Sequence, residues 1–400
     1  MALKVGRGAS APPFIVMDVI TAANALQATL PAGAQVIRME VGQPATGAPA
    51  GAVAAAQAAL RGGTPLGYTE AFGRRSLRER IAQHYADWYG IDLSSERIAV
   101  TVGASGAFPL AFLAAFDPGD RVAMAAPFYP PYVNILTALG MQPVLLEAGA
   151  GSRFQPTVAM LQALDPPPDG LIVASPCNPA GTMLHPDELA AIARWCDAHG
   201  VRLVSDEIYH GLNYDSPIAT AAAFSANAVV VNSFSKYFSM TGWRVGWLVL
   251  PADLVRPVEC LAQNFFISAP HISQVAAQAA FDCTAELQQN IARYRRSRDL
   301  LLGALPAAGF ALGPAEGAFY LWADVGGLTN DSGAFCARML AEAAVAASPG
   351  VDFDRTRGSR FVRFSYCGAE PDMAEAAARL ARWTGRGSPT AFLHSRNKQS

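Results

Sequence analysis

Between Ile98 and Leu250, short apolar runs alternate with stretches of helical periodicity. The runs cover residues 98–102, 121–124, 143–146, 171–174, 201–204, 229–231 and 246–250. They are nearly continuous rather than alternating, which predicts strands buried on both faces, as in a parallel sheet covered by helices. A helix is expected from Phe108 to Phe116, after the first run. Another is well delimited: Pro186 suits a first turn, Leu189, Ile192, Ala193 and Cys196 share one face, and Gly200 stands where a C-terminal cap belongs. From about residue 286 the pattern changes to a long arginine-rich helix, followed by strand-like runs at 317–322 and 360–365. The expectation is an α/β chain. A large domain over 48–285 carries a mainly parallel seven-stranded sheet between helices. A smaller α+β domain is built from an N-terminal arm, 1–47, and a C-terminal segment, 286–387, before a loose polar tail at 388–400.

A net charge of −2 gives no basic field for nucleic acid. No uncharged apolar run reaches the ~18 residues of a membrane span, and the start lacks the apolar core of a signal peptide. Six cysteines are scattered without CxxC or CxxH spacing and six histidines without HxxxH spacing, so reduced thiols in a cytoplasm are expected and no metal.

Of the 30 lysines and arginines only Lys4, Lys236 and Lys398 are lysines. A guanidinium stays protonated, whereas a lysine amine can lose its proton and attack a carbonyl to form an imine. Lys236 is therefore the candidate for covalent chemistry. Other polar residues also fall at strand ends, where open parallel sheets bind ligands. Gly103, Ala104 and Ser105 follow the first strand and precede a helix, a place that suits a phosphate, although glycine turns are common. Tyr129 follows the second, either to stack on a planar ligand or to fill the core. Asn178 follows another at a proline-flanked turn and offers both a donor and an acceptor. Asp206 ends the next strand, where a carboxylate is costly to bury unpaired. Lys236 follows the strand after that, and Arg244 is suited to clamp a phosphate through two parallel hydrogen bonds. An amine, a carboxylate, a phosphate nest and a stacking ring are what pyridoxal 5′-phosphate needs, because an acid must hold its ring nitrogen protonated.

At these residues the chain resembles the class I/II aminotransferases of fold type I. The shared pattern is S-x-S-K with M-T-G-W-R-x-G, N-P-x-G, D-E-x-Y and a C-terminal R-x-S, in the family's order from about Gly42 to Arg363. The resemblance implies pyridoxal phosphate as cofactor and Lys236 as the Schiff-base lysine. It implies that Asp206 pairs with the pyridine nitrogen, Asn178 and Tyr209 contact the phenolic oxygen, and Tyr129 stacks on the ring. It assigns the phosphate to the Gly103–Ser105 segment, the serines of S-x-S-K (Ser233 and Ser235) and Arg244. Tyr68 resembles the tyrosine that reaches a partner subunit's phosphate, and Gly42, Asn178 and Arg363 resemble the groups that hold the substrate carboxylate. Active sites shared in a homodimer follow. Many relatives carry lysine or glutamine where this chain has Ser105-Gly106.

The resemblance implies a ping-pong exchange between an amino acid and a 2-oxo acid. A dicarboxylate donor needs a second cation, and residues 264–268, near the side-chain pocket in relatives, have none. Phe14, Ile15 and Met17 add apolar character, so a neutral, aromatic or aliphatic donor is expected, with 2-oxoglutarate or glutamate as co-substrate from the family. Two rivals use the same cofactor. One is a β-lyase or an aminocyclopropane-carboxylate-synthase-like enzyme on the same fold. The other is a non-catalytic regulatory module, which usually carries a DNA-binding domain in front. Only about forty residues precede Gly42, and they show no helix-turn-helix pattern.

Overall fold

The computed structural model describes residues 3–63 and 65–385, so the expected tail lies outside the described residues. The chain divides into two compact units. The larger holds residues up to Pro13, Gln43–Ala292 and Ala315–Ala318; the other holds Phe14–Gly42, Arg293–Pro314 and the described residues from Phe319 onward.

The larger unit is built on seven strands: β1 Ile98–Thr101, β2 Arg121–Ala126, β3 Gln142–Glu147, β4 Gly170–Ala174, β5 Arg202–Asp206, β6 Val229–Ser233 and β7 Gly246–Val249. Their order across the sheet is β1-β7-β6-β5-β4-β2-β3. Neighbours pair in parallel except β7, which runs against both β1 and β6. The expected mainly parallel sheet is therefore present. The apolar runs are continuous because both faces are covered: every residue of β1, β6 and β7 is buried. Each fully buried valine or leucine contributes about 1.5–3 kcal/mol.

The helix Pro186–His199 forms where its signals predicted. Its N-terminal amide at His185 is bonded 2.7 Å from the Glu188 carboxylate, and Gly200 ends it in the left-handed region at φ 67°. The helix expected from Phe108 begins earlier, at Gly103. Residues 103–106 are thus its first turn rather than a loop before it. Small residues fit there because neighbours come close: a Cβ on Gly106 would meet the Val102 side chain at 3.3 Å.

The smaller unit contains a four-stranded antiparallel sheet ordered Ser348–Pro349, Phe361–Ser365, Tyr320–Asp324, Ala311–Leu312. Ile37–Arg38 pairs in parallel with Val345–Ala346. The strand expected over 317–322 starts only at Tyr320. Gly317 and Ala318 belong to the larger unit, where their amides bond to the Gly181 and Leu212 carbonyls at 2.9 and 2.7 Å.

Candidate functional site

The sheet order explains why remote sequence positions converge. Because β1, β2, β4, β5 and β6 are parallel, the residues that follow them emerge at one edge. β7 runs the other way, so its start lies at that same edge, and Ser233 pairs with Gly246 in the β6–β7 register. Arg244, two residues before β7, reaches the edge by this reversal.

Asp206 closes β5 opposite Ala174 of β4 and Val231 of β6. It is 5% exposed. Burial pushes its carboxyl up to about 6, while the Tyr132 hydroxyl, the Ile208 amide and the Lys236 ammonium each pull it back down. Tyr132 donates to Asp206 Oδ2, and the Ile208 amide donates to Oδ1 at 3.1 Å. Tyr132 is the residue that sequence reasoning passed over. It stands three positions after Tyr129, whose ring meets it edge-on at 5.3 Å. Tyr129, Tyr132, Cys177 and Asn178 line one small cavity. Asn178 is buried there, and burial pushes the adjacent Cys177 thiol up to about 12. Lys236 Nζ lies 5.9 Å from the centre of the Tyr209 ring.

An anion cradle forms at the first turn of the helix Gly103–Ala115. Gly103 has φ 67°, and a Cβ added there would lie 2.4 Å from Arg244 Nη2. The guanidinium therefore sits directly against the turn that carries Ala104 and Ser105. It is steadied by a bond from Nη1 to the Thr241 carbonyl at 2.8 Å. A Cβ on Gly246 would meet Ala104 N at 3.1 Å, so β7 also needs glycine to approach this turn. The Ser233 hydroxyl accepts from the Ser235 amide at 3.1 Å and lies 2.9 Å from the Ser235 hydroxyl. First-turn amides, two hydroxyls and a guanidinium are donors of the kind that can hold an anion.

In the smaller unit Arg363 is 2% exposed, with its guanidinium carbon 4.5 Å from the Tyr320 ring centre and 4.6 Å from that of Phe353. Its Nη2 donates to the Glu40 carbonyl and, at 3.1 Å, to the Ser348 hydroxyl. A Cβ on Gly42 would fall 1.8 Å from the Tyr320 hydroxyl oxygen. Gly42 and Arg363 thus border the same tyrosine. Tyr68 joins neither cluster and is 83% exposed.

The family model for aminotransferase class I and II matches residues 34–380. The chain is 51% identical over 385 residues to a valine–pyruvate aminotransferase of Mycobacterium tuberculosis, covering 95% of this chain and 98% of that one. It is 31% identical over 378 residues to a (5-formylfuran-3-yl)methyl phosphate transaminase of Methanocaldococcus jannaschii, covering 93% and 97%. Among solved structures, an aminotransferase from Mycobacterium tuberculosis superposes with a TM-score of 0.93 at 50% identity, covering 96% of this chain and all of that one. An aspartate aminotransferase from Thermus thermophilus with maleate gives 0.88 at 30% identity over the same shares.

Proposed function

The chain belongs to the aminotransferase class I and II family and is a transaminase that moves an amino group from an amino acid to a 2-oxo acid; on that premise we propose that it works through pyridoxal 5′-phosphate held at the carboxyl edge of the seven-stranded sheet. The observation that carries this reading is the pairing of a buried acid with the central lysine: Asp206 ends β5, and Lys236 follows the adjacent β6 closely enough for its charge to act on that acid. The donor set fits the group. The cradle of Gly103, Ala104, Ser105, Ser233, Ser235 and Arg244 suits its phosphate, and Asn178 and Tyr209 suit its phenolic oxygen.

When bound, this cofactor supplies an aldehyde that captures amines and a cationic ring that takes up the electron pair released at carbon. The side chains do the rest. Asp206 keeps a positive charge opposite its carboxylate, Tyr129 covers a ring face, and Arg244 neutralises the phosphate. Lys236 Nζ, as a free amine, takes the proton from the α-carbon of the donor. For the substrate carboxylate the smaller unit offers Gly42 and Arg363, the latter a planar fork that matches a carboxylate in two bonds, and the larger unit offers Asn178.

For the donor we propose a neutral amino acid, aliphatic or aromatic. The absence of a lysine or arginine in residues 264–268 supports this, and so does the name of the Mycobacterium relative, valine–pyruvate aminotransferase. We further propose a homodimer. Tyr68, Phe265, Phe266 and Ile267 are exposed by 83%, 53%, 36% and 50%, and they lie on one surface, where the Thr69 amide bonds to the Ser268 hydroxyl at 3.4 Å. An apolar surface of this kind favours a partner. The cysteine pattern supports a cytoplasmic location.

The test is reconstitution with pyridoxal phosphate, borohydride reduction and peptide mapping, with a screen of amino donors against pyruvate and 2-oxoglutarate. A label at Lys236, its loss in Lys236→Ala and parallel double-reciprocal plots are expected. Ammonia or thiol release in place of a new amino acid would favour the lyase. A dimer by light scattering is expected at micromolar concentration.

A further inference from the structure

Half-buried Tyr89 and buried Glu207 and His210 form a polar cluster that has no part in the proposed chemistry. His210 is 5% exposed and follows Tyr209 directly. Its Nε2 lies 3.0 Å from the Ser175 carbonyl oxygen and its Nδ1 lies 2.7 Å from the Tyr89 hydroxyl. A carbonyl only accepts, so Nε2 carries the hydrogen. Nδ1 is then the bare nitrogen, and the Tyr89 hydroxyl donates to it. Burial holds the ring's pKa far down, at about 3, which keeps this neutral arrangement throughout the working pH range. The Glu207 carboxyl stands 3.5 Å from Nδ1 and is itself fixed through Oε1, which accepts from the Ser205 hydroxyl at 3.0 Å and the Ala221 amide at 2.8 Å.

Ser175 begins the turn that presents Asn178. Its amide donates to the Asp206 carbonyl at 3.3 Å and its carbonyl accepts from His210. The turn after β4 is therefore tied at one residue to the last residue of β5, through the Asp206 carbonyl, and to the turn that follows β5, through His210. The first turn carries Asn178, Asp206 ends β5, and the turn after it carries Tyr209. All three must reach the same ring, and a displacement of an ångström at such a site can cost a hundredfold in rate.

We propose that His210, held in its tautomer by Tyr89, is a positioning residue that sets the spacing between Asn178 and the Asp206–Tyr209 pair by anchoring the Ser175 carbonyl. The inference rests on the proposed cofactor site. It is tested on the full-length protein loaded with pyridoxal phosphate, in three variants. His210→Phe keeps bulk but removes the donor. His210→Gln keeps an N–H that can reach the same carbonyl. Tyr89→Phe leaves the imidazole but frees its tautomer. The readouts are the pH titration of the cofactor's visible absorbance, and kcat and KM measured separately.

For His210→Phe the absorbance titration is expected to move to higher pH by about one unit, because a donor to the phenolic oxygen is displaced. We expect kcat to fall about tenfold with KM changed less. His210→Gln should recover most of both, and Tyr89→Phe should shift the titration in the same direction by less. If His210→Phe does not fold, Tyr89→Phe and His210→Gln decide. An unchanged titration and unchanged kcat in Tyr89→Phe, or a His210→Gln variant no better than His210→Phe, would overturn the proposal. So would a loss of thermal stability with both readouts intact. A wild-type protein that gains no visible band would instead overturn the cofactor reading, and this inference with it.

Discussion

The Tyr132 hydroxyl donates its hydrogen to Asp206 Oδ2, so the acid that ends β5 is held by a phenol from the segment after β2. The bond favours the ionised carboxylate against the burial that opposes it. Tyr132→Phe removes only that oxygen. The Asp206 carboxyl is then expected to rise further above its present value of about 6, and a protonated acid no longer supports a positive ring nitrogen. A fall in kcat/KM of about tenfold to a hundredfold is expected, in line with a hydrogen bond to a charged group. The acidic limb of the pH–rate profile should move to higher pH. An acidic limb that stays in place would show that Tyr132 does not tune the acid.

Two glycines with the same backbone angle separate space from strain. Gly103 and Gly200 both have φ 67°, but a Cβ at Gly103 would strike the Arg244 guanidinium whereas at Gly200 nothing lies within 4 Å. Gly200→Ala should cost about 1 kcal/mol of stability and leave cofactor affinity unchanged. Gly103→Ala should carry the same backbone cost and weaken pyridoxal phosphate binding at least tenfold, measured by fluorescence quenching. Equal affinities in the two variants would remove Arg244 from the cradle.

Buried His84 is expected to contribute to acid sensitivity. Burial, helped by the nearby Arg80 charge, holds it at about 4, below its ordinary 6.5. The unfolded chain therefore binds the proton more readily, and stability is fully present above pH 6.5 and lost as pH falls towards 4. Asp206 and Glu207, raised to about 6 and about 7, act with the opposite sign, so a comparison of variants is needed. Between pH 7 and pH 5 the wild type should lose about 2 kcal/mol more than His84→Gln in urea titrations. Parallel pH curves for the two proteins would refute this.

Thiol reactivity should divide the cysteines. Burial pushes Cys177 and Cys196 up to about 12 and Cys336 higher still. These three should resist maleimide in the native protein. Cys260 and Cys283, which are only half-buried, should label first. Mass spectrometry of partly labelled protein checks the order, and early modification of Cys177 would mean that the β4 turn opens readily.

The sheet was legible because strands covered on both faces leave unbroken apolar runs, and the runs at 98–102 and 246–250 needed only trimming. Lys236 stood out because arginine fills nearly every other cationic position. The cradle was half legible: Gly103-Ala-Ser105 looked like a glycine turn, and only the three-dimensional approach of Arg244 explains why its first residue lacks a side chain. Tyr132 was hidden beside Tyr129, since one sequence offers two phenols and no local signal says which one reaches an acid 74 residues away. The His210–Tyr89 pair spans 121 residues and leaves no periodicity at all. The two-residue strands of the smaller unit are too short to generate a pattern.

The reversed direction of β7 turns residues 234–245 into a short cassette whose two ends are fastened to each other through the Ser233–Gly246 pair. Closing so small a loop requires little ordering of the rest of the chain. Lys236 and Arg244, the proposed covalent anchor and phosphate clamp, consequently travel as one unit. A nick or an insertion within these twelve positions would uncouple both functions in a single event, while the strands on either side could remain folded.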